Sequence, residues 1–379
     1  MSQPAKKAAE TGAVLPMKTT ITDTVNAFLK QAMDNGVFDA VLIPMRVPAG
    51  DSFVYVLLQD PTRLKDAQFR SPVMSVQGAK AVSSVTKLGK GELKIAAVMR
   101  PCEVRATNEL TKLEQTNLEN ITLISFDCPG VMPLSDFVNN PEQGMKHFDQ
   151  AQQQWDDSIM RPVCQICEHS SMTAGDLHIG VHGANQGTCF LIPTSEKGTE
   201  VLQHLGFKAE TRVDAWTQKV QKRSQEKMQK RKKAHQALHT QINGLNKFTD
   251  AFQQCINCHN CMRVCPVCYC RLCYFDSDKV KQQAEEYLDQ ATSKGSIRFL
   301  PDTTLFHIGR MTHMSLSCVS CGSCEDACPM SIPVAQIFSM IADETQAVFD
   351  YVSGKSIDEP LPLRTFKEDE LHDMEDAHD

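Results

Sequence analysis

The sequence predicts an α/β domain followed by a helical, cysteine-rich domain. Short apolar runs rich in Val, Ile and Leu alternate with helix-like stretches from about Ile21 to Leu205, which is typical of βα units. The cysteine density rises sharply after Phe252 and marks the second domain. With 379 residues, the chain is long enough for each domain to bury its own core.

Six apolar runs predict the strands of the first domain, because each is short and rich in strand-forming residues. The runs do not reveal the order or pairing of the strands. They lie at 41–45, 54–58, 95–99, 121–126, 178–181 and 189–192.

Composition divides the chain into five segments. We expect a disordered N-terminus at 1–20, the α/β domain at 21–213, a basic helical connector at 214–251, the helical ferredoxin domain at 252–350 and an acidic tail at 351–379. The connector includes WTQKVQKRSQEKMQKRKK, which has eight Lys or Arg and one Glu. We expect this helix to have a solvated face, and a role in guiding an acidic partner or an anionic cofactor stays open.

Helices are also predicted between the two cysteine groups of the second domain, at 278–293 and 305–314. This favours an elongated helical module over the compact βαβ kind. The acidic tail is expected to be solvated or to act as a docking strip.

Charge and hydropathy argue against two functional classes. The net charge of −7 gives no general attraction to nucleic acid. No run approaches 18 apolar residues, so no transmembrane segment is expected. The chain opens without a basic and apolar signal peptide, and we therefore expect a cytoplasmic protein.

The strongest motif is a repeated C-x2-C-x2-C-x3-C-P. Its first copy is Cys255, Cys258, Cys261 and Cys265, and its second copy is Cys318, Cys321, Cys324 and Cys328. In two-cluster ferredoxins, the first three cysteines of such a motif bind one [4Fe-4S] cluster and the fourth binds the other. We expect cluster 1 on Cys255, Cys258, Cys261 and Cys328, and cluster 2 on Cys265, Cys318, Cys321 and Cys324.

Zinc is the alternative for these cysteines, but zinc is usually held by paired C-x2-C arms. Two complete four-cysteine motifs with trailing prolines favour clusters, and the function that they indicate is electron transfer.

A second, scattered set of cysteines lies in the α/β domain. Cys102 and Cys128 each follow a predicted strand, and Cys164 and Cys167 form a C-x2-C pair. Ligands collect at the carboxyl ends of strands in open α/β sheets. Four thiolates there would suit a third [4Fe-4S] cluster, while separate buried thiols or a zinc site stay open.

Four cysteines remain outside these sets. Cys268, Cys270 and Cys273 follow the first ferredoxin motif as C-x-C-x2-C, and Cys189 lies apart. The three are possible extra ligands, either for a fourth cluster or as alternative ligands of the neighbouring clusters. Otherwise they are thiols packed beside a cluster. No fourth partner for them is evident from the sequence.

No local motif indicates an organic cofactor, since the chain has no phosphate-binding P-loop, nucleophile elbow or dinucleotide fingerprint. His178 and His182 are the only proton donors that we considered, and we expect both to be ordinary packed or surface residues. We therefore assign no catalytic residue.

Four segments together, RPCEVRATNEL, SFDCPG, CQICEH followed by LHIGVHG, and GTCFLIPTSEKGTEVL, resemble the coenzyme F420 hydrogenase/dehydrogenase beta subunit family. The C-terminal part, from CINCHNCMRVCPVCYCRLC onward, resembles bacterial members described as formate dehydrogenase beta-like. The ferredoxin module follows the α/β domain here, whereas many members carry it in front.

The resemblance implies an α/β flavoprotein domain that binds FAD together with the third cluster, with Gly130, Gly180 and Gly183 near the flavin. It implies a partner that is a formate dehydrogenase or hydrogenase catalytic subunit, or a heterodisulfide reductase-like subunit. The two-electron carrier need not be F420, since NAD(P) or another redox protein could replace it.

The sequence thus predicts a flavin- and iron-sulfur-dependent electron-transfer subunit of an oxidoreductase. The alternative is a pure iron-sulfur relay that has neither a flavin nor a substrate of its own. A zinc-scaffolded interaction protein is the third interpretation.

Overall fold

The computed structural model describes residues 10–278, 280, 283–296 and 303–365. The chain divides into two compact units. The first unit comprises Met1–Arg231 and Gly354–Leu361, and the second comprises Lys232–Ser353 and Pro362–Asp379.

The first unit is built on an eight-stranded sheet. All six runs expected to be strands are strands, and five of them are largely buried, whereas the run at 54–58 is mostly half-buried. The strands are β1 (Thr11–Pro16), β2 (Ala40–Arg46), β3 (Phe53–Leu58), β4 (Ile95–Val98), β5 (Ile121–Phe126), β6 (Leu177–Gly180), β7 (Thr188–Pro193) and β8 (Thr211–Arg212).

The sheet is parallel at its centre and antiparallel at both sides. Its order is β3-β2-β4-β5-β6-β7-β1-β8. Strands β2, β4, β5 and β6 pair in parallel, whereas β3, β7, β1 and β8 pair antiparallel to their neighbours. The loops that follow β4, β5 and β6 therefore emerge at one edge of the sheet.

Helices cover the sheet because their apolar residues recur on one face. In α1, for example, Val25, Phe28 and Leu29 are buried in the core, and each such burial contributes about 1.5–3 kcal/mol. Thr20 accepts a hydrogen bond from Asp23 N and caps this helix. The helices are α1 (Ile21–Asp34), α2 (Gly78–Val85), α3 (Pro101–Lys112), α4 (Leu134–Asn139), α5 (Pro141–Gln154), α6 (Pro162–Gln165) and α7 (Glu196–His204), with a 3-10 helix at Pro61–Asp66.

The basic connector is a helix, α8 (Asp214–Ile242), and the division between the two units falls within it. It is followed by α9 (Leu245–Ala251). The mean hydropathy of α8 is low because most of its side chains are charged or amide-bearing.

The described residues of the second unit form helices and loops without strands. The two cysteine motifs fold alike. Each has a short helix at its third cysteine, and each has two left-handed residues at the same positions, Asn257 and His259 in one motif and Ser320 and Gly322 in the other. The helices are α10 (Asn260–Arg263), α11 (Ala284–Lys294), α12 (Thr303–Met314), α13 (Ser323–Asp326) and α14 (Val334–Val348), with 3-10 turns at Tyr274–Asp276 and Pro362–Arg364.

Two terminal expectations need correction. Residues 11–16, expected to be disordered, form β1, which pairs with β7 and β8, and residues 1–9 lie outside the described part. The start of the expected acidic tail is packed, since Gly354 N donates to Glu109 Oε1 at 2.7 Å and Asn108 Nδ2 donates to Gly354 O at 2.9 Å. Residues 366–379 lie outside the described part.

Among the described helices, we find none whose length and apolar character would allow it to cross a bilayer.

Candidate redox site

Four of the five cysteines of the first unit lie near the edge of the sheet where the parallel strands end. Cys102 is in the first turn of α3, directly after β4, and Cys128 follows β5. Cys164 lies in α6 and Cys167 just beyond it. The parallel pairing of β4 with β5 is what brings the first two loops together.

Electrostatic proximity links all four of these thiols. Burial raises the pKa of Cys164 to about 12, and the neighbouring Cys128 and Cys167 add to the rise. Arg100 interacts with both Cys102 and Cys128, and Arg105 interacts with both Cys102 and Cys167. The structure thus places the four thiols near one another, with two buried arginines beside Cys102, Cys128 and Cys167.

Arg100 is held rigidly beside these sulfurs. Its Nη2 donates to Ser71 O and to Ser71 Oγ, both at 2.7 Å, and its Nη1 pairs with Glu103 at 3.3 Å. Glu103 also accepts from Tyr55 Oη at 2.7 Å. This buried network fixes the loop from β4 into α3 that carries Cys102.

Gly130 belongs to the same site. Its φ of +103° is left-handed, and a Cβ there would lie 3.2 Å from Cys164 Cβ. Gly130 N donates to Cys128 Sγ at 3.4 Å. The glycine therefore lets the Cys128 loop pass close to Cys164.

The first cavity of the second unit is lined by Cys255, Cys258, Cys261 and Cys328. Its volume is about 320 Å³, including space open to solvent. His307 Nε2 lies 3.4 Å from Cys255 Sγ. Burial, with the positive charge of Arg310 nearby, lowers the pKa of His307 to about 3, so its imidazole is neutral at pH 7.

The second cavity is lined by Cys265, Cys318, Cys321 and Cys324 and measures about 450 Å³ on the same basis. Burial raises the pKa of Cys265 to about 12, with Cys321 and Cys318 among its electrostatic neighbours. The fourth cysteine of each motif therefore lies with the first three cysteines of the other motif.

Arg310 is a basic residue that sequence reasoning missed. It lies on α12 and is buried, and its Nη1 donates to Cys261 Sγ at 3.1 Å. It also lines the cavity of Cys265 and interacts with Cys324. No spacing rule links it to the cysteine motifs, since it follows Cys261 by 49 residues.

The remaining cysteines fall into two different environments. Cys268, Cys270 and Cys273 line a third cavity of the second unit. Cys189 is fully buried in β7 within the core of the sheet. None of the sixteen cysteines, all of which lie in the described residues, forms a disulfide.

His178 has a structural role in the first unit. Its Nδ1 lies 2.8 Å from Ser125 Oγ and its Nε2 lies 3.0 Å from Asp127 Oδ1, and Trp216 Nε1 donates to the same carboxylate. Burial opposes the ionisation of Asp127, but the hydrogen bond and charge of His178 hold the pKa of Asp127 below its usual range. Both nitrogens of His178 thus have partners, as expected for a packed histidine.

A group of nitrogen donors without acceptors lies near the same edge. Arg70 Nε, His182 Nε2 and Arg223 Nε are buried and have no hydrogen-bond partner in the described part of the chain. Trp155 is central to this group, since the guanidinium carbons of Arg70 and Arg223 lie 5.5 and 5.2 Å from its ring centroid. We call these four residues the Trp155 group.

Gly180 and Gly183 contact atoms of this chain. A Cβ at Gly180 would lie 2.8 Å from Trp216 Nε1, and one at Gly183 would lie 2.6 Å from Ala215 O. Gly183 also has a left-handed φ of +72°. The two glycines therefore make room for the start of α8.

Comparison with known proteins identifies relatives of the whole chain. A beta subunit of F420-dependent formate dehydrogenase from Methanocaldococcus jannaschii is 28% identical over 300 residues, which cover 71% of this chain and 75% of that protein. The beta subunit of F420-dependent formate dehydrogenase 1 from Methanococcus maripaludis is 28% identical over 375 residues, covering 89% of this chain and 92% of that protein.

The chain is similar to F420-dependent formate dehydrogenase beta subunits over most of its length. The resemblance inferred from the sequence is thereby confirmed.

The second unit also matches a family model. Residues 250–332 match the 4Fe-4S dicluster domain, and this range includes all eight ferredoxin-type cysteines. Among solved structures, a chain of the F420-reducing [NiFe] hydrogenase complex from Methanosarcina barkeri aligns with a TM-score of 0.43 and 12% identity, over 65% of this chain and 97% of that one.

Proposed function

We propose that this chain is an electron-transfer subunit of a larger oxidoreductase, with FAD in its first unit and [4Fe-4S] clusters in both units. The observation that carries the proposal is the division of the eight ferredoxin-type cysteines into two cavities with four sulfurs each. Four thiolates around one cavity are the donor set of a [4Fe-4S] cluster. The dicluster domain match supports the same assignment.

The ligand sets follow from these neighbourhoods. Cluster 3 would use the four cysteines gathered around Arg100 and Arg105 in the first unit. The proposed ligands are Cys255, Cys258, Cys261 and Cys328 for cluster 1, Cys265, Cys318, Cys321 and Cys324 for cluster 2, and Cys102, Cys128, Cys164 and Cys167 for cluster 3.

The flavin exchanges electrons in pairs or singly and the clusters exchange them singly, so that together they join two-electron to one-electron chemistry. The protein's own residues tune this exchange by charge and hydrogen bonding. Arg310 donates to Cys261 Sγ, which stabilises the added negative charge of a reduced cluster. Arg100 and Arg105 bring positive charge to the third set of thiols in the same way.

The Trp155 group supports the flavin part of the proposal. Buried guanidinium nitrogens without protein acceptors, such as Arg70 Nε and Arg223 Nε, suit an oxygen-rich or anionic partner. A flavin nucleotide offers both phosphate and carbonyl oxygens, and an aromatic ring such as Trp155 suits its planar ring system. His182 of this group follows the parallel strand β6, and Arg70 Nη2 donates to Asp127 O just after β5, at the edge where ligands of α/β sheets collect.

We propose that the subunit works in the cytoplasm with the catalytic subunit of a formate dehydrogenase or hydrogenase, or with heterodisulfide reductase-like subunits. The names of the relatives support coenzyme F420 as the two-electron carrier, with NAD(P) as the alternative. Sixteen cysteines without a disulfide fit a reducing compartment.

The test is anaerobic purification followed by denaturation. FAD should be released in stoichiometric amount, alongside at least about twelve iron atoms for three four-iron clusters. If the protein binds no flavin even after reconstitution with FAD, its function would be that of the pure iron-sulfur relay. A colourless preparation with zinc and without iron would reject both.

A variant pair tests the Trp155 group. Arg223→Ala should lower the flavin content of the purified protein several-fold while the iron content stays unchanged. Lys222→Ala, at the exposed neighbouring position on α8, is the matched control and should keep its flavin. Equal flavin contents in the two variants would show that the Trp155 group does not bind FAD.

A further inference from the structure

Three cysteines that the ferredoxin pattern does not use line a cavity of their own. Cys268, Cys270 and Cys273 share it with Arg310 and His313. The cavity measures about 620 Å³, including space open to solvent. On the same basis, the two cavities proposed for clusters 1 and 2 measure about 320 and 450 Å³, so this one has the larger space.

The three thiols are near neighbours. Burial raises the pKa of Cys268, and Cys273 and Cys270 add to the rise, so both lie within electrostatic reach of Cys268. Arg310 donates a hydrogen bond to Cys268, as it also does to the sulfur of Cys261. The cavity therefore brings three thiols to a buried guanidinium that also donates to a sulfur of the first cavity.

The spacing suits a cluster better than a single ion. In the described part of the chain, no group of three or more His, Cys, Asp or Glu side chains is spaced closely enough to hold one metal ion, and this includes the eight ferredoxin-type cysteines. Ligands of a four-iron cube bind separate irons and so lie farther apart than the ligands of one zinc ion.

Two other side chains of the same cavity carry atoms that can bind iron, Asp276 and His313. Asp276 already accepts a hydrogen bond at Oδ1 from Arg263 Nη2 at 3.2 Å. His313 lies in the last turn of α12, is exposed and has no hydrogen-bond partner in the described residues. An imidazole nitrogen can replace a thiolate on a cluster iron, as it does in Rieske centres.

We propose that Cys268, Cys270 and Cys273, with His313 as the fourth ligand, bind a further [4Fe-4S] cluster in the second unit. This inference rests on the proposed function only in requiring that the chain is loaded with iron-sulfur clusters. It adds a cluster with a mixed ligand set to the two on the ferredoxin motifs and the third in the first unit.

The first test is anaerobic iron and sulfide counting. The wild-type chain should hold about sixteen iron atoms, and the double variant Cys270→Ser/Cys273→Ser should hold about twelve, at four irons per cluster. Leu272→Ala is the matched control, because Leu272 lies between these cysteines and is 99% exposed. Equal iron contents in the double variant and the control would overturn the proposal.

A second test does not depend on a cysteine variant folding. One reduced cluster of the wild-type chain should show the hyperfine coupling of a directly bound nitrogen in pulsed electron paramagnetic resonance (EPR). The coupling should vanish in His313→Ala and persist in His239→Ala, an exposed histidine of α8. Absence of this coupling in the wild-type chain would overturn His313 as the ligand.

The two failures can be told apart. A wild-type content of about twelve iron atoms that the cysteine variant leaves unchanged would remove this cluster and leave the proposed electron-transfer function intact. The proposed electron-transfer function itself would be rejected only if the eight ferredoxin-type cysteines held no iron.

Discussion

Arg310 brings one positive charge to sulfurs of both ferredoxin motifs. It donates to Cys261 Sγ at 3.1 Å and interacts with Cys265 and Cys324. The residue is buried, and its guanidinium carbon lies 4.7 Å from the Phe338 ring centroid. Water therefore screens this charge poorly, and the field of Arg310 acts on both proposed clusters of the ferredoxin motifs.

Arg310→Gln should shift the reduction potentials of clusters 1 and 2 to more negative values. A unit charge about 5 Å away at an effective dielectric constant of about 20 is worth about 3 kcal/mol, or on the order of 100 mV for one electron. Potentiometric titration followed by EPR measures the shift. Lys247→Gln, which removes an exposed charge from the same unit, should leave the potentials unchanged.

The crossed ligands predict a pattern in double variants. Cys265 lines the cavity of Cys318, while Cys255 lines the other cavity. Cys265→Ser/Cys318→Ser should therefore lose about four irons, no more than either single variant, whereas Cys265→Ser/Cys255→Ser should lose about eight. Iron counting on anaerobically purified protein checks both numbers. The reverse pattern would mean that each motif binds its own cluster.

The cysteine motifs could be recognised in the sequence because the spacing of their cysteines is local. Cys255, Cys258 and Cys261 lie within one loop and short helix, and the trailing proline marks the motif. Arg310 and His307 could not be predicted, since they reach the sulfurs from α12, 49 and 52 residues further along the chain. Only the packing of α12 on the first motif reveals them.

At the scale of elements, the sheet was predictable where its strands are apolar and enclosed. Strands β4 and β5 are buried along their whole length, and the sequence marks them clearly. Strand β1 was not predicted because its sequence, TGAVLP, is short and lies in a polar terminus. Its partner β7 is also remote in the chain. Both residues of β8 are exposed, so it carries no apolar signal.

The turn from β6 into the next strand contains two left-handed glycines that differ in their surroundings. A Cβ at Gly183 would meet Ala215 O at 2.6 Å, whereas a Cβ at Gly187 would meet nothing within 4 Å. Both have positive φ, so Ala at either position pays the same backbone strain of about 1–2 kcal/mol. Only at Gly183 would the added Cβ also collide with the backbone at the start of α8.

Gly183→Ala should therefore destabilise the first unit by about 1–3 kcal/mol more than Gly187→Ala does. Anaerobic thermal unfolding of the two variants and the wild type measures the difference. If Gly183→Ala instead unfolds at the same temperature as Gly187→Ala but lacks flavin, then Gly183 is needed for cofactor binding and not for the packing of α8.

At the scale of the whole molecule, each unit contains complete ligand sets. The four cysteines of the proposed cluster 3 all belong to the first unit, and both ferredoxin motifs belong to the second. The match to a dicluster domain likewise ends within the second unit. The loading of one unit should therefore be independent of the other, because no thiolate is shared between them.

Cys128→Ser/Cys164→Ser tests this independence. We expect the loss of about four irons, while the EPR signals of the reduced clusters in the second unit keep their shape and intensity. Cys189→Ser is the control, since Cys189 is buried in the sheet core of the same unit and should change no iron content. Unchanged iron in the double variant would reject cluster 3. Loss of the second unit's signals from a chain that is still folded would mean that its clusters depend on the first unit.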